Sequence, residues 1–201
     1  MHNNRYSRYL YVVLAILLVS ILALAGCNLF YGKNITVNKG IAHFYFECPD
    51  RYKVKFIDTR DEADLKFTDV ALSGPAGGEK NSRIVAQIDI NIDDPFESRE
   101  DAQAAWEYDI RFYEVYDNFE IISSSSRIVD GIQASEYIVA FTSTPDSDRM
   151  SNLKPVDMMA KEIYFDYNGL IWELSVRSSA QYFASNEARF EQLVESFKIL
   201  E

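Results

Sequence analysis

The sequence predicts an α+β fold. Three observations predict it: successive stretches rich in aromatic and β-branched residues, two tight hairpin signals, and two stretches whose apolar residues recur at helical spacing. The β pattern begins at Ile41. Residues 41–47 are aromatic and β-branched and end in the turn signal Cys48-Pro49-Asp50. Residues 52–59 alternate, with Val54 and Phe56 on one face and Lys53 and Lys55 on the other. Residues 65–72 and 83–91 read as the next strands, and 73–82, rich in Gly, Ser and Asn, as an exposed loop between them.

The period changes at Ser98. Ser98-Arg99-Glu100-Asp101 resembles a capping box with Asp for Glu, which predicts a helix reaching about Asn118. Ala102, Ala105, Trp106, Tyr113 and Tyr116 share its apolar face. Asp109 falls within that face and is assigned to its edge, because a buried carboxylate needs a partner. Strands follow at 119–129 and 131–144, joined by Asp130-Gly131, and at 156–167 and 169–177, joined by Asn168-Gly169. Both dipeptides favour the positive φ angles of a two-residue hairpin turn. The polar stretch 145–155 is a loop. A final helix carries Phe183, Phe190, Leu193, Val194 and Phe197 on one face, with Ser185 or Asn186 as its cap.

The N-terminus has the layout of an export signal. Arg5 and Arg8 precede an apolar run over 9–24 broken only by Ser20, and no acidic residue occurs before Cys27. The run closes in Leu24-Ala25-Gly26-Cys27, which resembles the lipobox of bacterial lipoproteins. That resemblance implies removal of a signal peptide over 1–26 and lipid attachment at Cys27, with fatty acyl chains such as palmitate holding the protein to the outer side of the cell membrane. The run is also close to the roughly 17 residues that span a bilayer, so an uncleaved transmembrane anchor stays open. Either way the rest of the chain is extracytoplasmic. Residues 27–40 read as a lipid-anchored tether and 41–201 as one globular domain.

The domain resembles the PsbP family, named for the extrinsic photosystem II protein. The resemblance lies in an aromatic strand ending in Cys-Pro-Asp-Arg-Tyr at 48–52, the late strand pair around Asn168-Gly169, and the closing Phe190-x-x-Leu193-Val194-x-Ser196-Phe197-Lys198-Ile199-Leu200. It implies a central antiparallel sheet with helices on both sides, an α-β-α sandwich. No residue of this chain matches the manganese and calcium role of the photosynthetic members.

Charge and motifs narrow the function. The net charge is −11, and the domain is more acidic still once Arg5 and Arg8 are set aside. Such a surface repels nucleic acid. With Cys27 lipidated, no intramolecular disulfide is expected, and Cys48 reads as a buried thiol. His43 is the remaining histidine of the exported chain, and its odd spacing from Cys48 places the two on opposite faces of one strand, against a cysteine hydrolase. Hydrolase, phosphate-loop and dinucleotide motifs are missing. The expectation is therefore neither an enzyme nor a cofactor protein. The strongest acidic cluster is Asp89-x-x-x-Asp93-Asp94-x-x-Glu97, in a predicted strand-to-helix loop. Its spacing does not match a calcium loop, and whether it holds a divalent cation stays open. The expected function is a membrane-tethered, non-catalytic binding or accessory module for a protein partner or the cell envelope. The alternative is a cation or small-molecule carrier using the acids at 89–97. A deep polar pocket with converging acids would favour the carrier, and a flat apolar patch the partner module.

Overall fold

A computed structural model describes residues 33–62, 65–77, 84–96, 99–143 and 154–200. The export segment, Cys27, Glu97, Ser98 and most of the 145–155 loop lie outside the described residues. The elements run β1 (Lys33–Lys39), β2 (Ala42–Cys48), β3 (Lys53–Glu62), β4 (Leu65–Gly77), β5 (Ile84–Asp93), α1 (Ala102–Tyr113), β6 (Asp117–Val129), β7 (Ile132–Ser143), β8 (Val156–Tyr167), β9 (Leu170–Ser179), α2 (Ala180–Ser196) and β10 (Lys198–Ile199). Seven strands form one antiparallel sheet in the order β3-β4-β5-β9-β8-β7-β6, and β1-β2-β10 form a smaller one. The chain is thus α+β, with a central antiparallel sheet flanked by a helix on each side.

Two cores hold the layers together, one on each face of the large sheet. On one face, Ile88, Ile90 and Ile92 of β5 and Trp172, Leu174 and Val176 of β9 meet the small sheet and α2. Phe44 of β2 sits edge-on to Trp172, with ring centroids 5.8 Å apart, and stacks on Phe197 at 5.5 Å. Each such buried aromatic contributes about 1.5–3 kcal/mol by leaving water. On the other face α1 lies over β7, β8 and β9. Ala102 and Ala105 let it approach closely, and Trp106 stacks flat on Tyr137 at 3.9 Å.

Both hairpins form as expected: Asp130 and Gly131 have φ of 47° and 84°, and Asn168 and Gly169 have 53° and 75°. Several boundaries differ from expectation. Residues 33–39, assigned to the tether, form β1, because Ile35 and Val37 alternate inward and Gly40 (φ 73°) turns the chain into β2. The compact unit accordingly starts at Asn34. Residues 73–77 extend β4 instead of opening a loop. Gly74 makes this workable: a Cβ there would meet the Tyr52 ring at 2.5 Å. Val54 and Phe56 do not share a buried face, since a register shift separates them and Phe56 is exposed.

Helix α1 begins four residues after the expected cap. Asp101 is the N-cap, its Oδ1 accepting from the Ala104 N–H at 2.8 Å, and Asp166 Oδ1 accepts from the Ala102 N–H at 2.9 Å. The helix stops at Tyr113, so Tyr116 lies past its end. Helix α2 starts earlier than expected, at Ala180. Neither Ser185 nor Asn186 caps it; Asn186 is 2 % exposed and accepts from the Tyr52 hydroxyl at 3.1 Å.

Candidate functional site

Strands β5 and β9 bury an apolar face in the core, while their other face is polar and half-buried. The isoleucines of β5 alternate with Gln87, Asp89, Asn91 and Asp93, and the apolar residues of β9 alternate with Glu173, Ser175 and Arg177. All of these polar side chains point to the α1 side. Helix α1 covers β7 to β9 and leaves β4 and β5 open, so their polar face becomes the floor of a cleft of about 690 Å³. That volume is in the usual range of ligand pockets.

Strand register lays the floor out as a grid. One row runs Asp69, Asn91, Glu173, Tyr164 across β4, β5, β9 and β8; the next runs Asp89, Ser175, Glu162 across β5, β9 and β8. Arg99, on the segment leading into α1, folds over the floor. Its guanidinium lies 3.6 Å from Asp93, 3.1 Å from Asp109 and 4.0 Å from Glu173, and packs against the Phe96 and Tyr108 rings. Arg177 reaches Asp89 at 3.5 Å, and Gln87 Nε2 donates to both Asp89 oxygens at 2.7 and 2.9 Å. Tyr113, Tyr116, Phe112, Phe141 and Met158 form an aromatic and apolar wall.

Carboxyl groups crowd the deep end. Tyr113 donates to Glu162 Oε1, and the Tyr164 hydroxyl lies 2.8 Å from Glu162 Oε2 and 3.1 Å from Asp109 Oδ2. A tyrosine has one hydrogen, so satisfying both contacts calls for a proton on one carboxyl. Burial favours that proton. It raises the pKa of Asp89, Asp93, Asp109 and Glu162, and of Asp69 to about 6, where the charges of Asp89, Asp58 and Asp93 add to it. Glu173 is pushed up to about 8 by burial first, then by the charges of Glu162 and Asp109.

The acidic cluster lies further into the strand than expected, since β5 runs to Asp93 instead of ending at Asn91. Asp89 and Asp93 lie on β5 and face the cleft two pleat repeats apart, roughly 13 Å along the strand. They cannot meet at one cation, whose oxygens sit about 2.3–2.6 Å from it. Asp94 leaves the floor and pairs with Lys66 at 3.8 Å. Among the described residues no three His, Cys, Asp or Glu side chains could hold a metal ion together. Asp109, expected at an edge, faces the cleft with Arg99 and Tyr164 as its partners. His43 is exposed on β2, whereas Cys48 is buried and donates to the Tyr52 carbonyl at 3.5 Å; neither lines the cleft. The sequence reading missed Glu162, Glu173, Arg99 and Tyr164. Alternation gave the signal for Glu173, but a polar alternate face reads as solvent-facing until a helix is known to lie over it.

Fold and site together define a class: an α-β-α sandwich with an acidic, aromatic-walled cleft beside the helix on one face. Similar solved structures include LpqN, involved in cell envelope biogenesis of Mycobacterium tuberculosis, at 11 % identity over 85 % of this chain and 92 % of that one, with a TM-score of 0.49. They also include a cyanobacterial PsbP from Synechocystis, at 12 % identity over 85 % and 94 %, TM-score 0.49. A protein of unknown function from Pseudomonas aeruginosa matches at 13 % identity over 80 % and 93 %, TM-score 0.47. PsbP, the family resembled in sequence, is thus among the similar structures. No protein-family model and no curated protein matches the chain.

Proposed function

We propose that this protein is an extracytoplasmic, non-catalytic binding module, tethered to the membrane through Cys27, whose working surface is the cleft beside α1. The observation that carries this proposal is the half-buried polar face of β5 and β9, enclosed beside α1. Burying polar groups is costly unless they are partnered, and the apolar alternates on the same strands show that the chain can supply isoleucine where only packing is needed. The cleft's depth also reorders the two expectations formed from the sequence. It supports a ligand carrier over a module that docks through a flat apolar face, and it replaces the 89–97 loop with a surface drawn from β4, β5, β8, β9 and α1.

The test has two parts. Cys27→Ala should abolish acyl labelling and move the protein out of the membrane fraction; unchanged labelling and fractionation would sink the lipid tether. A photo-crosslinking residue at Phe112, on the cleft wall, should capture a ligand in native membranes. The same residue at Ile57, on the far strand β3, should capture none. Equal capture at both positions, or none at either, would sink the assignment of the cleft as the working surface.

A further inference from the structure

Charge does not balance in the cleft. Asp69, Asp89, Asp93, Asp109, Glu162 and Glu173 line it against the guanidiniums of Arg99 and Arg177. Asp69 has neither a hydrogen bond nor an ion pair among the described residues, and its nearest charges are other carboxylates. Ser175 supplies an independent sign of an absent partner. It is 8 % exposed, lies on the floor between Asp89 and Glu162 in the strand register, and its hydroxyl has no hydrogen-bond partner among the described residues. Its oxygen is not sealed from the cleft, so a donor entering there can reach it as an acceptor.

Building on the binding role proposed above, we infer that the cleft takes an organic cation: ammonium or guanidinium groups carried on an apolar stem. The spacing of the acids selects against a single metal ion, which needs its oxygens at one point, and suits nitrogen donors spread along a molecule. An N–H group entering the floor would find carboxylate oxygens and the Ser175 hydroxyl as acceptors. The exposed Phe112, Tyr116 and Val85 at the mouth would cover its stem and place aromatic faces near a second positive group. The same chemistry can come from a free amine or from the basic side chains of a protein segment.

Titration calorimetry and thermal melting of the lipidated protein in detergent test this with two probes, spermidine and a short peptide of alternating lysine and phenylalanine. At least one should bind and raise Tm by about 5–11 °C at a hundredfold excess over Kd. The tighter probe identifies the source. At pH 8.5, where Glu173 is ionised, Asp69→Asn and Glu173→Gln should each weaken binding about tenfold, the loss expected for one charge-assisted hydrogen bond. Glu195→Gln on the exposed side of α2 makes the same charge change and should weaken it less than twofold. Failure of both probes to bind, or equal losses in all three variants, would overturn the inference. Capture of a ligand at Phe112 with neither probe binding would leave the binding role standing and refute the cation alone.

Discussion

Replacing Glu173 with glutamine removes a charge from the deepest part of the cleft while keeping the side chain's shape. In the folded protein this carboxyl titrates near 8, against an ordinary 4.5. It faces Asn91 from β5, Arg99 from the segment before α1, Asp109 from α1, and Glu162 and Tyr164 from β8. The folded state therefore holds a proton that the unfolded chain has lost between those two values, and stability falls as pH rises through that window. The full difference corresponds to at most about 5 kcal/mol at roughly 1.36 kcal/mol per unit. Water entering the cleft and adjustment of Arg99 bring the expected effect to about 2 kcal/mol, since buried sites respond as a fairly polarisable medium. Glu173→Gln should then melt about 4–8 °C above the parent at pH 8.5 and within about 1 °C of it at pH 5. Asp69, Asp89, Asp93, Asp109 and Glu162 share the sign of the shift and stay in both proteins, so the difference between the two melting curves reports Glu173 together with its repulsion of Glu162 and Asp109. A variant no more stable than the parent at pH 8.5, or one equally changed at both pH values, would refute the reasoning.

Lys161 faces α2 from the opposite side of the sheet, with Glu191 at 2.7 Å, Glu187 at 2.8 Å and Glu136 at 3.5 Å. Lys161→Met leaves Glu136 and Glu191 to the remaining Arg127 and takes from Glu187 its ion pair, and should cost about 3 kcal/mol in urea unfolding at pH 7. The Glu191 pKa is lowered in the fold, its hydrogen bonds from Arg127 and Lys161 outweighing burial, so this loss should shrink as pH falls below the ordinary carboxylate range. Two glycine substitutions separate backbone strain from crowding. Gly131→Ala places a Cβ in open space at φ 84° and should cost about 1–2 kcal/mol. Gly74→Ala drives a Cβ into the Tyr52 ring and should cost about 1–3 kcal/mol. Its loss should be largely relieved in a Tyr52→Leu background, whereas that of Gly131→Ala should not change.

The hairpins and the terminal helix stripe were legible because their causes are local. Asp130-Gly131 and Asn168-Gly169 need only their own φ angles, and Phe183 to Phe197 need only a helical repeat. What escaped depended on distant partners. The 33–39 segment is polar enough to pass for a linker, and becomes a strand through Val37 packing into a core contributed by other elements. The Ser98 capping pattern is genuine in sequence, but Asp101 and Asp166 together cap the helix later, and Asp166 is 64 residues away. In the cleft, Asp89 and Asp93 stood out as a cluster in sequence, whereas Glu162 and Glu173 come from separate strands. They meet the cluster only through the β5-β9-β8 pairing and its coverage by α1.

The division of β5 into an isoleucine side and an acidic side also bears on how the sheet assembles. Side chains alternate with a period of two, so sliding β5 by one residue against β4 or β9 would turn Asp89, Asn91 and Asp93 into the aromatic core and push Ile88, Ile90 and Ile92 into the water of the cleft. A strand of uniform isoleucine would tolerate that slip. The residues that make the cleft acidic therefore also act as an alignment code during folding: a misregistered sheet would have to bury four polar side chains, Gln87 among them and two of them carboxyls, and the correctly registered chain leaves them facing its ligand surface.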